Sequence, residues 1–111
     1  MKCDVVLIGN SSLGGPDQQL GRLLMGNFLR LLGGRDDLPS YVILWNSGVL
    51  LAANDSDVLD HLRKIEERGV KILLCRTCVE YFNLEDRVAA GEIEGMANIL
   101  DILSMHQVMT V

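Results

Sequence analysis

No basic stripe runs through this sequence. Ten Lys and Arg stand against fifteen Asp and Glu, a net charge of −5, so nothing offers the phosphates of DNA or RNA an electrostatic footprint. Long hydrophobic runs are missing as well. The longest uncharged apolar stretch, Val42 to Ala53, is interrupted by Asn46-Ser47-Gly48 and is too short to span a bilayer. No charged-then-apolar leader follows Met1, and the three cysteines and five methionines point to a reducing, cytoplasmic setting rather than secretion. Internal repeats, low-complexity tracts and linkers are also lacking.

Other absences exclude whole chemistries. Gly9-Asn10-Ser11-Ser12-Leu13-Gly14 lacks the GxGxxG spacing, and no Gly-Lys-Ser/Thr sequence exists for a Walker-type loop. Phosphate or flavin binding would rest on fold analogy alone, and no cofactor is expected. Without a Gly-x-Ser-x-Gly elbow, and with no serine or acid placed beside either histidine, hydrolysis has no support. A structural zinc site wants four ligands, whereas the chain offers one CxxC pair and no His-x3-His. Cys3 begins the first strand, about 20 Å from that strand's carboxyl end at strand rise, and cannot complete such a site. No metal is expected.

What is present alternates between two periodicities. Val5-Val6-Leu7-Ile8, Tyr41-Val42-Ile43-Leu44-Trp45 and Val70-Lys71-Ile72-Leu73-Leu74 are short, β-branched apolar runs that read as strands, and Gln107 to Val111 can form another. Asp17 opens a helix in which Leu20, Leu23, Leu24, Phe28, Leu31 and Leu32 share one face, stopped by Gly33-Gly34. Met25 and Leu29 lie off that stripe and suggest a second buried surface, hence subunit association. Asn54, Asp55 or Ser56 caps a helix with Val58, Leu59, Leu62 and Ile65 inward. Glu85 to Ala90 reads as a short helical piece, and Met96, Ile99, Leu100 and Leu103 as a last amphipathic helix. With 49% hydrophobic residues, residues 1–111 should form a single α/β domain. Its sheet is expected to be small, doubly wound and mainly parallel, with four or five strands, in a flavodoxin-like three-layer sandwich.

Such sheets meet ligands at the carboxyl ends of their strands. Three loops qualify: Gly9 to Ser12, Asn46 to Gly48, and Cys75-Arg76-Thr77-Cys78. The last sets two thiols between a strand and a helix-like segment. A helix start and the charge of Arg76 would both push a thiol toward its nucleophilic thiolate. Asn10, Ser11, Asn46, Ser47 and Thr77 would line the site. Two readings remain open: reactive thiols, or small core hydrophobes with ordinary turns above them.

The Leu7-Ile8 start, Asp17-Gln18-Gln19-Leu20-Gly21, Asn46-Ser47-Gly48-Val49, Cys75-x-Thr77-Cys78 and the Gly91-Glu92-Ile93 segment together resemble the DsrE-like domain of YedF-type proteins, over nearly the whole chain. The resemblance implies an oligomeric α/β domain of a superfamily that includes sulfur-relay proteins carrying persulfide on cysteine. YedF-type members are linked to sulfurtransferase-like or selenium metabolism. The leading expectation for the CxxC is that Cys78 accepts sulfur as a persulfide and that Cys75 resolves the adduct or forms a reversible disulfide. Two departures stand out. No Cys-Pro occurs here, so a SirA-like partner would be a separate protein or a removed segment. Arg76 stands where Gly is common, which suits an anionic donor or obstructs approach.

Overall fold

Each apolar run becomes a strand of one parallel sheet. The computed structural model describes residues 1–111. In it, β1 (Val5–Ile8), β2 (Tyr41–Leu44), β3 (Lys71–Cys75), β4 (Glu92–Glu94) and β5 (Val108–Thr110) lie in the order β4-β3-β2-β1-β5. Every pairing is parallel, with Ile8 opposite Leu44 and Leu44 opposite Leu74. The expected α/β architecture is therefore present, with an all-parallel sheet of five strands. Helices α1 (Gln18–Gly33), α2 (Leu59–Glu67) and α3 (Arg76–Tyr81) connect strands laid successively in one direction. Helix α4 (Met96–Met105) carries the chain back to β5. Right-handed crossovers then put α4 on the opposite face from the other helices.

The two faces are unequally covered. Val6, Ile8, Val42, Leu44, Ile72 and Leu74 join a cluster of 21 buried residues beneath α1, α2 and α3. Their alternate neighbours Val5, Leu7, Ile43, Leu73 and Cys75 pack with Ile99 of α4 in a cluster of six. Strand alternation produces this division, since successive side chains point to opposite faces.

Helix α1 starts as its sequence indicates: the Asp17 carboxylate accepts the Leu20 N–H at 2.9 Å, and Gly34 ends it. Its seating is largely reversed, however, with only Leu32 buried and Phe28 packed against the core from the expected stripe. Gly21, Met25, Leu29, Leu32 and Gly33 are the buried residues, whereas Leu20, Leu23, Leu24 and Leu31 are 52, 65, 40 and 60% exposed. A helix with large apolar residues on both sides can sit either way, and the closer approach decides. A Cβ on Gly33 would lie 3.1 Å from Ile65 of α2, and one on Gly21 would overlap the Ser12 hydroxyl. The face with glycine at its ends therefore reaches the core. Full burial of Met25 and Leu29 contributes about 1.5–3 kcal/mol each.

Two further expectations change. Residues 85–87 form a turn and 88–90 run on in irregular backbone, rather than a helix. Their backbone instead joins the segment after β2, with Ala53 bridging Val88 and the Asn54 N–H donating to the Arg87 carbonyl at 2.9 Å. In α4 only Ile99 is buried, while Met96 and Leu100 are exposed. The inward face expected of α2 holds, with Val58, Leu59, Leu62 and Ile65 buried, but the expected cap moves: Val58 is the N-cap and carries no capping side chain, while the Ser56 hydroxyl accepts the Val58 N–H at 3.2 Å just ahead of it. No helix is long and apolar enough to cross a membrane.

Candidate functional site

Parallel register brings the ends of β1, β2 and β3 to one edge of the sheet, and the loops that follow them meet there. Beyond β1, the Asn10 side-chain carbonyl accepts the Ser12 N–H at 2.9 Å. Beyond β2, the chain turns directly into a 3₁₀ segment, Asn46–Ala52. Asn46 takes a left-handed conformation, φ 52°, a region Asn tolerates better than most residues because its short side chain bonds locally. Its Oδ1 accepts the Ser47 N–H at 2.8 Å.

Ser47 ties the first two loops together. Its hydroxyl accepts the Ser11 N–H at 3.1 Å and donates to Asn10 Oδ1 at 3.3 Å. Gly48 permits this approach, because a Cβ there would stand 2.4 Å from the Ile8 carbonyl oxygen. The third loop joins through sulfur: the Asn46 N–H donates to Cys78 Sγ at 3.0 Å. One hydrogen-bonded chain thus runs Cys78, Asn46, Ser47, Asn10 and Ser11. All three expected loops converge, and the sequence gives no sign that a backbone amide of Asn46 would face the thiol.

The two cysteines occupy different settings. Cys75 ends β3, caps α3 and is 1% exposed among the residues beneath α4. Cys78 is the third residue of α3, half-buried and packed against both core clusters. Both are free thiols, close enough to interact. Arg76 and Thr77 are exposed. They flank the thiols in sequence, but neither side chain has a hydrogen-bond partner or an ion pair.

This geometry corrects the expected acidification. The Cys78 thiol is pushed up from its ordinary value, chiefly because burial disfavours the thiolate; the Asn46 N–H opposes that, and the neighbouring Cys75 thiol adds to it. Arg76 is not among the causes, and a helix of six residues has few aligned peptides to contribute. At neutral pH the resting Cys78 is predominantly protonated. Its reactive fraction is small, yet a thiolate of higher pKa is intrinsically the stronger nucleophile.

Beyond Ser11 lies a cavity of about 460 Å3 between α1 and the 3₁₀ segment. Arg22 and Arg87 line it, paired with Asp57 at 2.6 Å and Asp55 at 2.9 Å. Sequence reasoning missed it because its arginines come from distant segments. Cys3 lies before β1 at the other edge of the sheet, in an apolar groove with Phe28, Leu31 and Val108. No three His, Cys, Asp or Glu side chains cluster as metal ligands would.

No protein-family model and no curated protein matches the chain. Its fold is similar to that of solved structures. The ychN protein from E. coli is 17% identical, with a TM-score of 0.69 and 97% of this chain and 98% of that chain covered. The protein of unknown function MTH1491 from Methanobacterium thermoautotrophicum is 16% identical, with a TM-score of 0.67 and 96% of each chain covered. The conserved protein of unknown function BT1422 from Bacteroides thetaiotaomicron is 18% identical, with a TM-score of 0.67 over 97% of this chain and 95% of that one. At these identities the likeness establishes a shared fold and nothing finer.

Proposed function

We propose that this chain handles sulfane sulfur, with Cys78 as the acceptor, as its resemblance to YedF-type DsrE-like domains implies. The observation that carries the reading is the Asn46 N–H held 3.0 Å from Cys78 Sγ where three polar loops meet. A hydrogen bond to sulfur stabilises the thiolate that must form during transfer. The Cys78 thiolate attacks the outer sulfur of a persulfide R–S–SH, the donor S–S bond breaks, and R–SH leaves. Asn10, Ser11, Asn46 and Ser47 shape the approach, while exposed Arg76 and Thr77 flank it. An anionic donor suits Arg76. A selenium analogue would follow the same course.

The protein is proposed to act in the cytoplasm with a separate donor or a SirA-like partner. The outward leucines of α1 support self-association, read by native mass. Mass spectrometry after incubation with glutathione persulfide tests the acceptor role. The expected product in Cys75→Ser is an adduct of about 32 Da on Cys78, one added sulfur atom. Its absence from both Cys75→Ser and the parent chain refutes the role.

A second reading is favoured by the burial of Cys75 and the raised Cys78 thiol. In it the CxxC only packs, or senses redox state, in an oligomerising module. Thiol titration separates the two, because inert cysteines react only after unfolding.

A further inference from the structure

The placement of Cys75 bears on what becomes of the captured sulfur. Beneath the half-buried Cys78 sits a second free thiol, sealed at 1% exposure among Val5, Leu7, Ile43, Leu73 and Ile99. A buried Cys can serve as a small hydrophobe, but this one lies beside the acceptor thiol and interacts with it, where its own sulfur is placed to react. Residues three apart at the start of a helix are neighbours, with Cβ atoms about 5–6 Å apart. A disulfide wants Cβ atoms about 3.5–4.5 Å apart, so the two thiols, already close enough to interact, must draw together by roughly 1–2 Å, a move open to Cys75 at the extended boundary of α3.

Direction matters as much as distance. Cys78 is half-buried and packs against both core clusters, whereas Cys75 is sealed, so a donor from solvent reaches Cys78 first. Of the adduct's two sulfurs, Sγ is the one that already neighbours the Cys75 thiol in the resting structure. Attack there expels the outer sulfur as sulfide, whereas attack on the outer atom would merely move the persulfide onto a residue no partner can touch.

Resting on the acceptor role of Cys78, we propose that the chain releases captured sulfane sulfur as sulfide, with Cys75 as the resolving thiol. In the second step the Cys75 sulfur bonds to Cys78 Sγ, the Sγ–S bond breaks, and the leaving hydrosulfide ion takes the Cys75 proton to depart as hydrogen sulfide. Summed over both steps, R–SSH and two cysteine thiols become R–SH, one intramolecular disulfide and one hydrogen sulfide. The sulfane sulfur gains two electrons, and the cysteine pair loses them. A dithiol reductant must then reopen the disulfide before the next turnover.

The test is a single turnover without reductant. The reduced full chain is mixed with one equivalent of glutathione persulfide, sulfide is trapped with monobromobimane, and the protein is weighed intact. The parent chain is expected to give about one sulfide per chain and a mass lower by about 2 Da, with the adduct, once formed, decaying at a rate independent of protein concentration. Cys75→Ser and Cys75→Ala, the latter keeping an apolar side chain in the buried position, are expected to stop at the adduct of about 32 Da and release no sulfide above a protein-free blank. A parent chain that holds the adduct without releasing sulfide overturns the resolving role while leaving sulfur acceptance intact. Absence of the adduct from both Cys75 variants, with no sulfide from the parent, overturns acceptance and this step with it.

Discussion

Replacing Gly48 by alanine should cost both stability and the order of the cysteine site. The added Cβ would stand 2.4 Å from the Ile8 carbonyl oxygen and 3.2 Å from its carbon, against 3.4 Å or more for ordinary contact. About 1 Å must be recovered, and both sides are backbone, so no rotamer change relieves the overlap. The end of β1 and the 3₁₀ segment have to separate, which strains the Trp45 N–H bond to the same carbonyl, 3.2 Å long. Overpacking of this kind costs about 1–3 kcal/mol, and a weakened hydrogen bond about 0.5–1.5 kcal/mol more. At roughly 4–8 °C per kcal/mol near this size, the melting midpoint should fall by roughly 6–36 °C. Gly15→Ala, with nothing within 4 Å of its Cβ, serves as the control and should melt close to the parent. Because Asn46 lies two residues before Gly48, alkylation of Cys78 should also quicken. A Gly48→Ala protein melting within about 2 °C of the parent would refute the close approach.

Iodoacetamide should modify Cys78 slowly at neutral pH and roughly tenfold faster per pH unit between about pH 7 and 9, because the raised thiol leaves little thiolate; a flat profile would mean an acidic thiol. The same raised pKa stabilises the fold below the unfolded thiol pKa and is lost as pH rises through the folded one, so Cys78→Ala should lessen alkaline destabilisation in urea melts. Ser12 Oγ is buried without a hydrogen-bond partner, so Ser12→Ala should be neutral or stabilising by about 1 kcal/mol in chemical denaturation. Met25→Ala should destabilise by about 2–5 kcal/mol, and exposed Leu23→Ala by less than about 0.5 kcal/mol in a monomer. Equal losses would mean that α1 sits with its leucines inward.

The strands with the densest apolar, β-branched runs were the legible ones. Val5–Ile8, Tyr41–Leu44 and Lys71–Cys75 are buried on both faces, and such strands show in sequence as continuous apolar runs. The Asp17 cap and the convergence of three loops followed from local chemistry and parallel order. Strand β4 was not legible, because Glu92-Ile93-Glu94 has one apolar residue and lies at the sheet edge, where charge is tolerated. The seating of α1 escaped for a different reason: leucines on one side compete with Met25 and Leu29 on the other, and the decision lies in close contacts with Ser12 and Ile65. At the site, residue types and positions were readable, but the electrostatics of Cys78 were not. Desolvation depends on how deeply α3 is seated against both cores, which spacing does not encode.

The lopsided packing of the sheet has a dynamic consequence. On the shallower side a single helix, anchored by the one buried side chain of Ile99, shelters Cys75. Segments with little buried apolar surface open below the cost of global unfolding, so lifting of α4 exposes that thiol while the deeper layer beneath α1 and α2 stays intact. The protection of Cys75 from outside oxidants is therefore set by how often the carboxyl-terminal helix breathes, and any partner that clamps α4 also guards the cysteine beneath it.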